Sequence, residues 1–489
     1  MISLQTKIHD RLTLEFKVAF KARKKQVNDF LLNTWIFLPD SLDINPRTYK
    51  RDDFYKDLRT NFRLITPVFL CRELAQVDAL PMRNLEKAMK QLASSPTHSN
   101  IAEYEYQIKM FSAIFKSSIR DQLHYILGTA QPEDQARLIS EFLDHATLIL
   151  QRYRELAGII KTPTVEQVVY NYFVYGDEFM SNLIEKELFA MIDKLGETAS
   201  KKALLQKVMP VVMEMLENEK KHKVDSNYPT VKSGRSSQNT ELIFRLGSLK
   251  KYIESDLFLN ANKKRDGVMA EQVYYSMAAG ISMVFATAVA FSIQLKYGSF
   301  TMPLFVALVI SYMLKDRIKE LMRYYFAHKI GSKYFDNKTT ISIKDKQIGW
   351  SKEGFDFIDE IKVPREIIKI RNRLPLIEAD NRYSHEKIIL YRKSLRLNRQ
   401  ELDQSASYNV DGVNEIIRLN LSSFMRKMDD PEVPLFVLDE NNEVRKNWGI
   451  KNYYLNIIMQ FRHEEDEKFK RFRIGFNRVG INSIEEMKA

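Results

Sequence analysis

The sequence predicts an α+β membrane protein: a mainly α-helical cytoplasmic domain, a two-helix transmembrane hairpin, and a C-terminal β-rich cytoplasmic domain built as a sandwich or barrel. Three observations predict it. Val273 to Leu295 and Ser299 to Leu314 are apolar and uncharged, with only Lys296, Tyr297 and Gly298 between them. Upstream of this pair, apolar residues recur at a period near 3.6, and downstream the period falls near 2.

The first apolar stretch, at about 23 residues, spans roughly 34 Å as a helix, whereas the second reaches only roughly 24 Å. The shorter one must thin the bilayer or recruit flanking residues. Lys263, Lys264 and Arg265 precede the pair and Lys315, Arg317, Lys319 and Arg323 follow it, against Lys296 alone in the loop. Positive residues resist translocation, so both termini are expected in the cytoplasm, in a bacterial inner membrane. The same seven side chains are expected to meet anionic lipid headgroups. Ala278, Ser282, Ala286 and Ala290 lay a stripe of small side chains along one helix face, which lets a second backbone approach closely. That backbone is either the hairpin's own second helix or another copy of the chain. Pro303 stands in the first turn of the second helix, where a missing N–H costs little.

The domain boundaries follow from the patterning. Residues 1–79 read as a small mixed strand and helix segment, with alternation at Leu12 to Phe20 and an aromatic run at Phe30 to Phe37. Residues 80–224 read as a helical bundle: Asn100 to Leu127 repeats Tyr104, Ile108, Phe111, Phe115, Ile119 and Leu123, with Asn100 and Glu103 as a capping start, and Pro132 opens the next helix. Helices follow at Val165 to Leu195 and at Ala199 to Lys221, the last interrupted by Pro210. Residues 225–239 concentrate turn formers and read as a flexible linker. Residues 240–272 read as a juxtamembrane helix, 273–314 as the hairpin, and 315–331 as a stalk helix continuing out of the membrane. Residues 332–489 carry the alternating pairs Ile341 and Ile343, Ile388 and Leu390, and the run Leu455, Ile457, Met459 and Phe461.

Composition narrows the function classes. The 489 residues carry a formal charge of +12, which favours anionic surfaces. A mean hydropathy of −0.34 places most of the chain in water. No secretory leader is visible in Met1 to Phe30, so insertion rests on the central hairpin. The single cysteine, Cys71, excludes an intramolecular disulfide, and its apolar neighbours predict a core residue rather than a nucleophile. No nucleotide-binding loop, zincin helix, EF-hand loop or nucleophile elbow occurs, so no reaction, cofactor or resident metal is predicted.

Three local features carry candidate chemistry. His145 beside Asp144 sits on an apolar helix face and reads as a hydrogen-bonded core histidine, with a carboxylate-oriented base as the alternative. His463-Glu464-Glu465-Asp466 reads as a solvated turn, with a hard-metal cluster as the alternative. Lys468, Lys470, Arg471 and Arg473, interleaved with Phe469 and Phe472, form an anion or nucleic-acid surface if they are free, though nucleic acid ranks below anionic lipid as partner.

The functional expectation is therefore a membrane-anchored cytoplasmic scaffold or sensor without intrinsic catalysis, its protein partner unnamed. The alternatives are a homo-oligomeric pore triggered by the cytoplasmic domains, and an enzyme working at the membrane surface.

Overall fold

The computed structural model describes residues 2–197, 202–234, 237–298, 301–331, 335–371, 386–439 and 443–488. The chain forms two compact units, one from residues 1–63, 259–407 and 411–489 and the other from residues 64–258 and 408–410. Mixed α and β structure with large sheets is thus observed. Its division along the chain differs from the expected one.

The N-terminus supplies β1 (Ile2–Asp10), β2 (Thr13–Lys21), β3 (Val27–Leu38), the short helix α1 (Arg51–Asp57) and β4 (Leu58–Leu64). In β3, Trp35, Ile36, Phe37 and Leu38 are all buried, so both of its faces are apolar and each must be covered by packing.

The helical unit holds α2 (Cys71–Leu74), α3 (Leu80–Ser94), α4 (His98–Gly128), α5 (Pro132–Glu155), α6 (Ala157–Ile160), α7 (Gln167–Gly196), α8 (Lys202–Asp225) and α9 (Ser237–Glu254). Thr97, not Asn100, caps α4, its hydroxyl accepting the Asn100 amide at 3.3 Å. Pro132 opens α5 as expected, and Pro210 lies inside α8. The core is stacked aromatics: Tyr153 of α5 lies between Phe111 of α4 and Phe173 of α7, at 5.5 and 4.6 Å between centroids. Its hydroxyl donates to the Phe173 carbonyl at 3.0 Å. Gly176 makes room for that hydroxyl, because a Cβ there would collide with it.

Two expectations for this stretch need correction. Part of the supposed flexible linker, residues 225–239, is anchored, since Tyr228 donates to Asp177 at 2.8 Å and the Asn239 side chain bonds the Lys232 backbone at 2.8 and 2.9 Å. Nor does a juxtamembrane helix run through residues 240–272. The helix ends at Glu254, and β5 (Asn260–Arg265) follows, because its asparagines favour helix poorly and its backbone pairs at a sheet edge.

After β5 come the long helices α10 (Val268–Tyr297) and α11 (Met302–Gly331). The remainder is β6 (Asn337–Ile343), β7 (Lys346–Ile358), helix α12 (Arg365–Arg371), β8 (Lys387–Asn398), β9 (Gly412–Asn420), β10 (Glu432–Leu438), β11 (Val444–Ile450), β12 (Tyr453–His463), β13 (Asp466–Phe476) and β14 (Ile481–Met487), with short helical turns between some of them.

These strands build an eight-stranded sheet in the order β14-β13-β12-β3-β8-β7-β6-β5 and a four-stranded sheet in the order β1-β2-β9-β4. The N-terminal strands therefore do not form the separate segment expected over residues 1–79. β3 lies between β12 and β8, β2 pairs with β9, and Trp35 and Phe37 of β3 pack in one core cluster with Val363 and Ile367. The sheets share a core, as where Phe16 of β2 meets Phe472 of β13 edge to face at 6.3 Å. Strands β10 and β11 make a separate ribbon whose apolar side chains, Phe436 and Trp448 among them, are exposed.

Candidate functional site

The strand pair β5 and β6 determines where the long helices stand. Their antiparallel ladder reaches Arg265 opposite Asn337, and beyond it the Asp266 amide donates to the Asp336 carbonyl at 3.1 Å. Gly267, at a φ of 75°, turns the chain from the strand into α10, a conformation that favours glycine. The two helices thus replace the loop of an ordinary β-hairpin. They pack on each other with Ser311 donating to the Ala286 carbonyl at 3.3 Å and Arg323 over the Tyr275 ring at 5.3 Å, an antiparallel register.

Along α10 the small-residue stripe faces this seam: Ala278 and Ser282 are buried, while Ala286 and Ala290 are half-buried. The opposite side chains are bare. Val284, Phe291 and Leu295 are 69%, 62% and 88% exposed. Among the described residues α10 is the one helix long and apolar enough to cross a bilayer. The second crossing expected from Ser299 to Leu314 has a shorter apolar part, and Ser299 and Phe300 lie outside the described residues.

A polar network fixes the feet of the helices. Asp336 takes Arg51 at 2.9 Å on one carboxylate oxygen, and the Tyr55 hydroxyl at 2.9 Å and the Phe355 amide at 2.7 Å on the other. Asp266 pairs with Lys352 at 2.9 Å, and Arg265 with Glu271 at 2.8 Å. Burial, reinforced by the Asp336 and Glu353 carboxylates, holds the Tyr55 phenol far above its ordinary range.

From the feet the network continues into the core. Lys263 of β5 pairs with Glu353 of β7 and lies 4.5 Å over the Tyr55 ring. Glu353 also accepts the Tyr391 hydroxyl at 2.9 Å and lies 3.7 Å from Lys393 of β8, which pairs with Glu415 of β9. Lys393 and Glu415 are 1% and 0% exposed. Burial raises the Glu415 carboxyl, and the Lys393 charge offsets this only in part. Burial also acts to raise Glu353, but Lys393 and Lys263 outweigh it and leave that carboxyl low. Lysines and carboxylates alternate here, so the network balances charge without a free nucleophile.

The helical unit contains a second polar cluster. Asp177 of α7 meets His222 Nε2 at 2.7 Å, the Tyr228 hydroxyl at 2.8 Å and Arg154 Nε at 2.9 Å. The Arg154 guanidinium then forks onto Glu219 at 2.9 and 2.8 Å, and Ser181 donates to Glu219 at 2.7 Å. Ser226 lies 3.5 Å from His222, yet from the same ring nitrogen that meets Asp177. A serine-histidine-aspartate relay needs the two nitrogens to face opposite partners, so this cluster does not make one.

The remaining sequence-derived candidates are placed as follows. Cys71 is buried, receives the Ser118 hydroxyl at 3.1 Å, and has its thiol pushed up to about 11 by burial. His145 is half-buried, and no carboxylate from another helix is described in contact with it. His463 stacks on Phe30 at 4.3 Å, while Glu464 turns to Arg23 at 2.7 Å and Lys25 at 2.8 Å, with Asp466 also on Arg23. Among the described residues no group of three or more His, Cys, Asp or Glu side chains is placed to hold a metal.

On β13, Lys470 meets Glu486 and Arg473 meets Glu485, each at 2.7 Å, and Arg471 is buried with its guanidinium on the Ile370 carbonyl at 2.9 Å. Lys468 is exposed. Those three neighbours therefore already have partners. Of the seven flanking positives, Lys263 and Arg265 serve the foot network, Arg323 pairs with Glu320 at 3.2 Å, and Lys315 lies 4.1 Å over Tyr312.

No family model matches this chain, and neither does any curated protein. Among solved structures, a de novo designed 16-helix transmembrane nanopore aligns at 11% identity over 54% of this chain and 94% of its own, with a TM-score of 0.16.

Proposed function

We propose that the chain is a membrane-anchored scaffold or sensor without intrinsic catalysis, in which α10 and α11 enter the bilayer as a hairpin and leave both termini in the cytoplasm. The observation that carries this reading is the bare apolar flank of α10. In water Val284, Phe291 and Leu295 would each remain mostly wetted, whereas hydrocarbon removes that cost. The feet support the topology. Because β5 and β6 are adjacent antiparallel strands, the chain enters and leaves the hairpin at one end of the sheet. Lys315, Arg317 and Lys319 then stand near the headgroups where the apolar part of α11 ends, and a basic cluster of this kind prefers anionic lipid. The shorter apolar part of α11 requires local thinning of the bilayer or borrowing of flanking residues.

Scaffolding rather than catalysis is favoured because Lys263, Lys393 and Arg154, the cations of the two polar clusters, are each paired with a carboxylate. Tethering raises the effective concentration of whatever the two units bind. The oligomeric pore is less favoured, since the small-residue stripe that could join copies packs against α11.

Labelling with a membrane-impermeant maleimide tests the topology, since buried Cys71 leaves a quiet background. With the chain in a bacterial inner membrane, a cysteine replacing Lys296 should label in intact cells and one replacing Lys264 only after lysis. Labelling of both in intact cells, or recovery of the wild-type chain in the aqueous fraction without detergent, would sink the proposal.

A further inference from the structure

The helical unit carries an open cleft of about 640 Å³ that neither the anchor nor the polar clusters use. It lies between α7, the segment around Val231, and α9, within the size range of small-ligand sites. Its walls are apolar, with Phe179 and Leu183 from α7 facing Leu242, Leu246 and Leu249 from α9. An apolar cleft of this size leaves its walls wetted, a cost that an apolar occupant removes.

The charged lining has one dominant sign. Lys116, Lys186, Lys223 and Lys250 line the cavity against Glu185 alone. Lys223 takes Glu185, and Lys116 takes Glu254 at 2.5 Å. Lys186 has only a loose contact with Glu187 at 3.7 Å, and both it and Lys250 are exposed. An apolar channel with under-neutralised lysines fits one ligand chemistry: an acyl chain ending in a single anionic headgroup. A purely apolar ligand would leave those lysines unused, and a polar metabolite would waste the walls.

Gly247 gives this space its shape. It lines the cavity from within α9, where glycine weakens the helix, and a Cβ built there would meet nothing within 4 Å. Leu246 beside it lines the same space and is 37% exposed, so a larger residue there narrows the space without displacing a buried side chain.

We infer that this cavity binds a monoacyl lipid with an anionic head, a fatty acid or a lysophospholipid, gripped at the head by Lys186 and Lys250. The inference rests on the cavity's own residues and not on the membrane placement of α10.

The test is photolabelling of the full chain in nanodiscs with diazirine-palmitate, the labelled peptides being mapped by mass spectrometry. Label is expected on α7 and α9, displaced by excess palmitate at concentrations at least tenfold below those needed for hexadecanol. Leu246→Trp, which narrows the space, should abolish that label while leaving any label on α10 unchanged. Lys186→Glu with Lys250→Glu should erase the tenfold preference for palmitate over hexadecanol. Competition by lysophosphatidate at lower concentration than palmitate would assign the head as a phosphate, and the reverse order a carboxylate. Absence of label on α7 and α9, label that persists undiminished in Leu246→Trp, or displacement equally by a hydrophobic helical peptide and palmitate would overturn the inference. Loss of label on α10 alone would instead count against the anchor.

Discussion

The amide of Asp266 donates to the carbonyl of Asp336 at 3.1 Å, closing a ladder whose two strands are separated in sequence by the whole of α10 and α11. The helical hairpin is therefore an insertion into a β-turn, and the sheet beneath it does not need the helices to complete its register.

This relationship predicts that the anchor can be excised. Replacing residues 267–335 with Asn-Gly joins Asp266 to Asp336, the hydrogen-bonded pair that closes the ladder, through the two-residue turn that antiparallel strands favour. The shortened protein is expected in the supernatant after ultracentrifugation without detergent, with its sheet signal intact by circular dichroism. Pelleting or loss of that signal would contradict it.

The seam between the helices is tight at Ala278, which is fully buried. Ala278→Leu overpacks it and is expected to destabilise the hairpin by about 1–3 kcal/mol, read as faster proteolysis between α10 and α11 in detergent. Val284→Leu, on the exposed flank, should behave as wild type. Equal sensitivity at the two positions would show that the stripe is not the seam.

Lys393 and Glu415 form a fully buried ion pair, so removing one partner strands the other. Lys393→Met alone should cost about 3–5 kcal/mol, whereas the double variant with Glu415→Leu should recover most of it. Urea denaturation followed by tryptophan fluorescence reads the right unit, since Trp35 and Trp350 both lie in it. Additive losses would mean the two charges do not act as a pair.

Acid should loosen the helical unit through Asp177. Burial acts to raise its carboxyl, but the His222 hydrogen bond and the Arg154 charge outweigh this and hold it below its ordinary range. A group with a depressed folded-state pKa contributes stability above its unfolded value, near 3.8, and loses it as pH falls through the folded one. Melting temperature is thus expected to fall as pH drops below about 4. Asp177→Asn should start lower at neutral pH and decline less steeply, and parallel slopes for the two proteins would refute the assignment.

Helices with strong periodicity were legible, and α5 begins at Pro132 where the sequence placed it. The strands were legible as strands, but their partners were not: nothing local in Phe30 to Phe37 says that its neighbours lie beyond residue 386. The core network did leave a signal. Lys393 and Glu415 occupy inward positions of alternating strands, between Tyr391 and Leu395 and between Val413 and Ile417, and a charge there needs a buried counter-charge. The Asp177 cluster left none, because Arg154, Asp177 and Glu219 look like ordinary polar positions on three separate helices.

The position of β3 has a temporal consequence. As the chain leaves the ribosome, this strand emerges long before β12, which covers one of its edges. Its apolar surface must be shielded by something else until then, while the helical unit and the anchor are already made. A polypeptide cut short before β12 would keep α10 and α11 but never seal its sheet, which makes the synthesis of β12 the step that commits the sheet to its native form.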